Sequence, residues 1–178
     1  MYIMGIDPSK WHTSAKHAIG SLGANITADG IKVFRYVKLR NETATVAVDS
    51  GDFVGYLASP DVATTPEESN TVVSDMTDAA TKPIAAGMLL GDDSGNFDLD
   101  DVLVASIAGT LATSYYGWVQ CQGYATVNQA IAGTTPADGD ALYLSTTDKT
   151  LTLATAVDDP ICAYGVDVSA KIVRLACV

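Results

Sequence analysis

The chain has 178 residues and a mass of 18.5 kDa, which suits one domain. A domain of this size buries roughly 70% of its unfolded surface and needs no metal or disulfide to fold. Charged residues make up only 17%, below the roughly 25% usual for soluble domains, and the net charge of −11 excludes nucleic acid as an expected partner. A charge-poor chain rich in small and β-branched residues favours packed sheets and subunit contacts, so we expect an oligomer.

Residues 1–28 form the first predicted unit. Their apolar side chains are scattered without a period, too few to build a core and too many for a free tail. This favours an extended arm that lies on a neighbour, although a terminus folded onto its own domain would give the same pattern. The candidate contact residues of the arm are Tyr2, Ile3, Ile6, Lys10, Trp11 and Lys16.

Charge is spread unevenly along the chain. Residues 1–40 hold six basic and two acidic side chains, whereas the remainder holds four basic and nineteen acidic side chains. A basic front on an acidic body is suited to docking on something acidic, and a solvated strand without a partner is the alternative. The start of the chain lacks the features of a signal peptide, and no stretch approaches the roughly 18 apolar residues that span a bilayer. We therefore expect a soluble protein made in a cytoplasm, without a membrane partner.

From residue 29 to the C-terminus the pattern is that of β-structure. The turn Asp29-Gly30 precedes a run in which Ile31, Val33, Val37 and Leu39 share one face. Short β-branched runs then alternate with turn residues at even spacing, which predicts an all-β sandwich or barrel over 29–178. The further predicted strands are 43–48, 53–57, 71–73, 84–90, 102–111, 115–127 with breaks at 117 and 123, 141–145, 151–156, 161–168 and 172–177, and helical character is confined to 67–81 and 126–131.

An acidic loop follows the first half of the chain, at residues 91–101. Its oxygen donors alternate as they do in loops that wrap Ca²⁺. On the EF-hand template, however, Phe97 stands where glycine makes the turn and Leu103 where a bidentate glutamate closes the shell. We therefore favour a solvated loop over an irregular cation site, whose ligands would be Asp92, Asp98 and Asp100.

Tyr115, Tyr116 and Trp118 form the densest aromatic cluster. Core packing, a subunit interface and a sugar-stacking platform are its three interpretations. The two histidines, His12 and His17, are five residues apart and point to different faces of a helix or strand, which argues against a metal pair and a catalytic triad. We expect no catalytic residue, cofactor or enzymatic activity. The three cysteines, Cys121, Cys162 and Cys177, have apolar neighbours and are predicted to be buried thiols.

Several segments in order resemble a family of bacteriophage head-decoration (cement) proteins. They are Phe34–Lys38, Tyr116–Gln120 leading to Gly123–Val127, Asp138–Thr147 and Ala163–Val166, and the similarity covers residues 29–178. The resemblance implies a β-barrel-like or β-tulip-like domain that forms a homotrimer on the outer surface of an icosahedral phage head. It also implies an N-terminal arm that binds the major capsid protein. A glycan-binding head-fibre or adhesin module, with Trp118 and the tyrosines as stacking platforms, is the alternative.

Overall fold

A computed structural model of the chain describes residues 3–40, 47–57, 69–74, 76, 83–107, 114–128, 130–132, 135–147 and 149–177. Within these residues the chain consists of strands, turns and loops without an α-helix, which confirms the predicted all-β fold. The strands are β1 (Ile3–Met4), β2 (Lys10–Trp11), β3 (Leu22–Thr27), β4 (Gly30–Leu39), β5 (Val48–Asp49), β6 (Phe53–Tyr56), β7 (Thr71–Val73), β8 (Ala85–Met88), β9 (Phe97–Leu99), β10 (Val102–Val104), β11 (Ser106–Ile107), β12 (Tyr115–Thr126), β13 (Ala130–Ala132), β14 (Ala141–Leu144), β15 (Thr150–Leu153), β16 (Ile161–Asp167) and β17 (Ile172–Ala176).

Five strands close into a barrel. They follow the order β4–β7–β6–β8–β12, and the ring is completed by antiparallel pairing of β12 with β4, in which Trp118 lies opposite Tyr36. Closure pairs the backbone groups that an open sheet would leave at its edges. Of the barrel and sandwich that the sequence left open, the structure has the barrel.

Strand β4 divides its side chains between two apolar clusters. Val37 and Leu39 pack with Val54 and Val119. Phe34 and Tyr36 pack on the opposite side of the strand. This alternation follows from the two-residue period of a strand. The predicted inward face is confirmed at Val37 and Leu39.

Strand β12 is the longest element and belongs to both halves of the molecule. Beyond the barrel it pairs with β17, and the sheet continues through β16, β14 and β15 to β13. The strand is continuous through Gly117 and Gly123, where the sequence predicted breaks, and its irregularity is a bulge between Gln120 and Gln122. The predicted helical character was wrong at 130–131, which lie in β13 and pair with β15, whereas 71–73 form the strand that the sequence also predicted there.

Residues 3–27 are folded onto the body, which corrects the prediction of an extended arm ending at residue 28. Strand β3 pairs with β4 along its whole length across a turn at Ala28 and Asp29, one residue earlier than predicted, so the predicted domain boundary cuts a hairpin. Strand β1 lies parallel to β3, and β2 lies parallel to β9. The physical reason is that the body offers unpaired strand edges and an apolar surface that these residues cover.

All three cysteines are free and buried, as the sequence predicts. Burial raises the pKa of each thiol, in the case of Cys162 to about 12. These groups are thus held in the unreactive protonated form within the core.

Candidate functional site

The N-terminal segment, residues 3–27, contributes directly to the core. Trp11 is completely buried and Ile6 nearly so. The segment is anchored to β12 by a pair of backbone hydrogen bonds, from His12 N to Tyr116 O at 2.9 Å and from Tyr116 N to His12 O at 2.8 Å. Among the four candidate contact residues whose side chains the structure describes, Lys10 and Lys16 are exposed, whereas Ile6 and Trp11 are buried. Tyr2 lies outside the described residues, and Ile3 takes part through its backbone in β1.

Asp100 fastens the acidic loop to this segment. Its Oδ2 accepts hydrogen bonds from the Thr13 hydroxyl at 2.6 Å and from Thr13 N at 2.9 Å, and its Oδ1 lies 3.1 Å from His12 Nδ1. The Thr13 hydroxyl, the Thr13 amide and the His12 ring lower the pKa of Asp100 to about 2. Asp100 is solvent-exposed, as predicted for a solvated loop, and its carboxylate also links this loop to the N-terminal segment.

The other two candidate cation ligands are also occupied within the loop. Asp92 Oδ1 accepts hydrogen bonds from Ser94 N and Asn96 N, both at 2.9 Å, and Asp98 Oδ1 accepts one from Asp101 N at 2.7 Å. Each carboxylate thus stabilises its own turn. Across the described part of the chain, no three metal-binding side chains are grouped together, and Asp92, Asp98 and Asp100 do not converge on one point.

The aromatic cluster predicted as a subunit interface is part of the core of a single chain. Trp118 is only 5% exposed, and its ring lies 5.0 Å from that of Tyr36 and 5.2 Å from that of His17. Tyr115 and Tyr116 are half-buried against two different apolar clusters. Trp118 is not available for a subunit interface because the N-terminal segment covers the face of β12 on which this side chain lies.

A cavity of about 240 Å³ opens between the N-terminal segment and the barrel wall. Tyr36 and Trp118 lie among its lining residues, together with the side chains of Lys10, Lys16 and both histidines. Asp7 also lines it, but its Oδ1 is engaged by Ser9. The two exposed ammonium groups of Lys10 and Lys16 outnumber the single carboxylate of Asp7 at the mouth of this cavity, and we call this local cationic patch the basic rim. Such a rim can attract carboxylate or other anionic groups.

A buried polar network lies at the junction of the barrel and the C-terminal strands. Asp52 is completely buried; its Oδ2 lies 3.0 Å from Lys149 Nζ, and its Oδ1 accepts a hydrogen bond from Asn128 Nδ2 at 3.0 Å. Lys149 Nζ also lies 2.8 Å from Asp49 Oδ2. Burial alone would lower the pKa of Lys149, but hydrogen bonds to Asp49 and Asp52 outweigh burial and raise it. The network is structural, and nothing in the local sequence around these four residues predicts that they meet.

Large apolar side chains are exposed together on a second surface, which sequence reasoning missed. Ile26 is 75% exposed and Ile31 is 63% exposed, and the two lie opposite each other on the β3–β4 hairpin. Tyr124 and Tyr164 are also exposed, on β12 and β16 of the same sheet. The available signal was the pair of isoleucines flanking the Asp29-Gly30 turn, because residues so close to a hairpin end lie beyond the core that the longer strands enclose.

Comparisons with models of known protein families, with curated proteins and with solved structures found no match. Within the described residues, no helix is long and apolar enough to cross a membrane. What this chain binds is therefore inferred from its own surfaces.

Proposed function

We propose that the chain is a structural decoration protein that binds the outer surface of an icosahedral phage head as a homotrimer and stabilises it. The observation that carries the proposal is the exposure of Ile26, Ile31, Tyr124 and Tyr164 on one side of a charge-poor β body. Grouped exposed apolar side chains indicate a macromolecular contact, whereas single ones do not. The ordered resemblance of residues 29–178 to head-decoration proteins suggests the identity of the partner.

A trimeric decoration protein needs contacts between its copies and a contact with the shell, and the basic rim suits the contact with the shell. Lys10 and Lys16 project from the N-terminal segment, and the net charge of the whole chain is negative. We assign this rim to the major capsid protein, where it would meet acidic side chains of the shell. Of the residues predicted to bind the capsid, we therefore keep Lys10 and Lys16 in that role. Ile6 and Trp11 instead pack in the core of the chain.

Stabilisation would follow from linkage. A ligand that binds the assembled shell and not its free subunits stabilises the shell by mass action. A trimer that contacts several capsid subunits gains further because its second and third contacts form at high effective concentration. No catalytic step, cofactor or nucleic-acid contact is required.

The test uses undecorated heads assembled from the major capsid protein of the same genome. Purified protein should co-sediment with these heads to saturation and raise the temperature at which they rupture. Lys10→Gln/Lys16→Gln should weaken attachment, whereas Lys32→Gln/Arg40→Gln, which removes the same charge elsewhere, should not. A monomeric protein that fails to bind heads would contradict the proposal.

A glycan array separates the alternative function from this one. The adhesin interpretation relied on Trp118 as a stacking platform, and Trp118 is 5% exposed. We expect no saturable binding to sugars. Saturable binding that Tyr124→Ala or Tyr164→Ala abolishes would favour the adhesin.

A further inference from the structure

The cavity at the basic rim has an aromatic wall, formed by His17, Tyr36 and Trp118. The ring centroid of His17 lies 5.1 Å from that of Tyr36 and 5.2 Å from that of Trp118, and the last two are 5.0 Å apart. Tyr36 and Trp118 are almost completely buried, so packing holds their rings in place. Such a wall can receive the carbon part of a small ligand without rearrangement.

Tyr36 also brings a hydroxyl group to this cavity. Its oxygen accepts a hydrogen bond from Lys16 N at 3.0 Å, and within the described residues the hydroxyl has no acceptor for its own proton. Burial raises the pKa of Tyr36, so the proton is retained at neutral pH. A hydroxyl that accepts through its oxygen can still donate this proton. Tyr36 therefore supplies a hydrogen-bond donor among apolar rings, which is the usual composition of a ligand site.

Neither ammonium group of the basic rim forms an ion pair within the described part of the chain. Lys16 Nζ lies 3.2 Å from the Ser14 hydroxyl, and Lys10 Nζ has no hydrogen-bond partner among the described residues. The carboxylate that lines the same cavity, Asp7, accepts hydrogen bonds at Oδ1 from Ser9 N at 3.2 Å and from Ser9 Oγ at 2.6 Å. Both ammonium groups are thus free to make charge-assisted hydrogen bonds to a ligand.

The acidic groups beside the rim are engaged elsewhere. Asp98 lies opposite Lys10 in the β2–β9 pair, but its Oδ1 accepts a hydrogen bond from Asp101 N at 2.7 Å. Asp100 lies 3.1 Å from His12 Nδ1. Charges more than about 8 Å away are largely screened at physiological ionic strength. The net charge of −11 therefore affects an anion in the cavity less than the two nearby ammonium groups do.

We propose that this cavity binds a single carboxylate, which is held by the ammonium groups of Lys10 and Lys16 and by the hydroxyl of Tyr36. Its volume of about 240 Å³ is smaller than the roughly 300–1,000 Å³ of pockets for drug-sized ligands, and it suits a short acid or one acidic side chain. With neutral histidines, two lysines and Asp7 leave a surplus of one positive charge, which matches a monoanion better than a phosphate dianion.

The carboxylate can belong to a free short-chain acid or to a glutamate or aspartate side chain of a partner protein. The second source rests on the proposed function, in which the partner is the capsid. The first source requires no partner. The chemistry that the cavity recognises is the same in both cases.

The first experiment compares three small probes by NMR titration of the full chain. N-acetyl-glutamate amide represents a side chain, butyrate represents a free acid, and N-acetyl-glutamine amide is the control of the same shape without the charge. A carboxylate probe should shift the backbone amides of Lys16 and His17 and the indole N–H of Trp118 saturably, with a Kd on the order of 1 mM. The control should not. Absence of a saturable shift with both carboxylates, or an equal shift with the control, overturns the inference.

The same titration separates the two sources of the carboxylate. Binding of N-acetyl-glutamate amide that is at least as tight as that of butyrate assigns the site to a partner side chain. Binding of butyrate alone assigns it to a free acid.

The second experiment tests the assigned donors. Lys10→Gln and Lys16→Gln should each weaken binding of the carboxylate probe roughly threefold to tenfold. Tyr36→Phe, which removes only the hydroxyl, should weaken it as well. Lys32→Gln/Arg40→Gln is the matched control and should bind like the wild type. Wild-type affinity in Lys10→Gln/Lys16→Gln overturns the inference, and because both side chains are exposed this variant is expected to fold.

Attachment to heads is measured on the same samples, so that the two proposals can fail separately. Saturating N-acetyl-glutamate amide should reduce attachment, and N-acetyl-glutamine amide should not. Probe binding by a protein that ignores heads removes the proposed function alone. Attachment to heads by a protein that binds neither carboxylate probe removes this inference alone.

Discussion

The indole of Trp11 lies directly against the backbone of Gly117. A Cβ added to Gly117 would lie 2.6 Å from Cε3 and 2.7 Å from Cε2 of the Trp11 ring, closer than any side chain tolerates. Trp11 can therefore pack in the cluster of Val37 and Val119, on the face of β12 opposite to Trp118, only because residue 117 has no side chain.

Gly117→Ala is expected to destabilise the protein by about 1–3 kcal/mol through overpacking. Urea unfolding measures the cost. In a Trp11→Leu background the same change should cost clearly less, since the overlapping ring is gone, and this double-mutant cycle isolates the contact. Equal costs in the two backgrounds would show that Trp11 does not determine the requirement for glycine.

Removal of residues 1–28 is expected to destabilise the body, in contrast to the behaviour of a free arm. The deletion removes buried Trp11 and Ile6 and uncovers Phe34, Tyr36 and Trp118. Loss of one buried tryptophan alone costs about 3–5 kcal/mol, so the unfolding temperature should fall by at least about 10 °C. Lys10→Gln/Lys16→Gln, which leaves the packing intact, should unfold like the wild type in the same calorimetric scan.

Asp100 makes the attachment of the N-terminal segment sensitive to acid. Its pKa of about 2 in the folded protein lies below the ordinary value of 3.8, so its hydrogen bonds stabilise the folded state above about pH 4. This contribution is lost as the pH falls through about 2, because protonation weakens the carboxylate as an acceptor. Asp100→Asn should lower the unfolding temperature at pH 7 and cause little change near pH 2.

Thr13→Val offers a direct check on the cause of the low pKa. Without the hydroxyl that donates to Asp100 Oδ2, an NMR titration should show the pKa of Asp100 moving upward toward its ordinary value. An unchanged titration would mean that the Thr13 hydroxyl is not the principal cause.

Lys149 is expected to stabilise the junction by neutralising Asp52. Lys149→Met leaves a buried carboxylate without its cation, and we expect a loss of about 1–3 kcal/mol in urea unfolding, less than for a fully buried pair because Lys149 is partly exposed. Asp52→Asn added to this variant should recover part of the loss, and Lys32→Met is the control. Since the folded pKa of Lys149 is raised, its contribution is present below about pH 10.5 and disappears as the pH rises through the folded value.

The three thiols provide a probe of core integrity. Burial and raised pKa values keep Cys121, Cys162 and Cys177 protonated and inaccessible. Ellman's reagent should label the native protein far more slowly than the urea-unfolded protein, in which all three react at once. Rapid labelling of one thiol under native conditions would reveal local opening around that cysteine.

The sequence was sufficient for local features of the fold. Even turn spacing and β-branched runs predicted the all-β class, and strand β7 has the predicted bounds. These features depend on neighbours in the chain, where period and turn chemistry act directly.

The candidate site depended on contacts that no local pattern contains. Trp118 is buried because a segment about a hundred residues earlier in the chain covers it. Asp100 was a candidate cation ligand in the sequence, and in the structure its carboxylate accepts a hydrogen bond from Thr13. Ile26 and Ile31 alternate with polar residues just as core residues do, and only their position beyond the end of the barrel leaves them exposed. Whether such a side chain is buried or exposed depends on its tertiary contacts, which the local sequence pattern does not contain.

Closure of the barrel by β4 and β12 also sets the order in which this protein can fold. Strand β4 cannot pair with β12 until residues 115–126 have left the ribosome. Trp11 cannot reach its contact with Gly117 before that point. Strands this distant in sequence lose the entropy of closing a large loop before their pairing stabilises the chain, and this slows folding. The barrel therefore cannot close until β12 has been synthesised, although the pairing of β3 with β4 needs only residues that precede it.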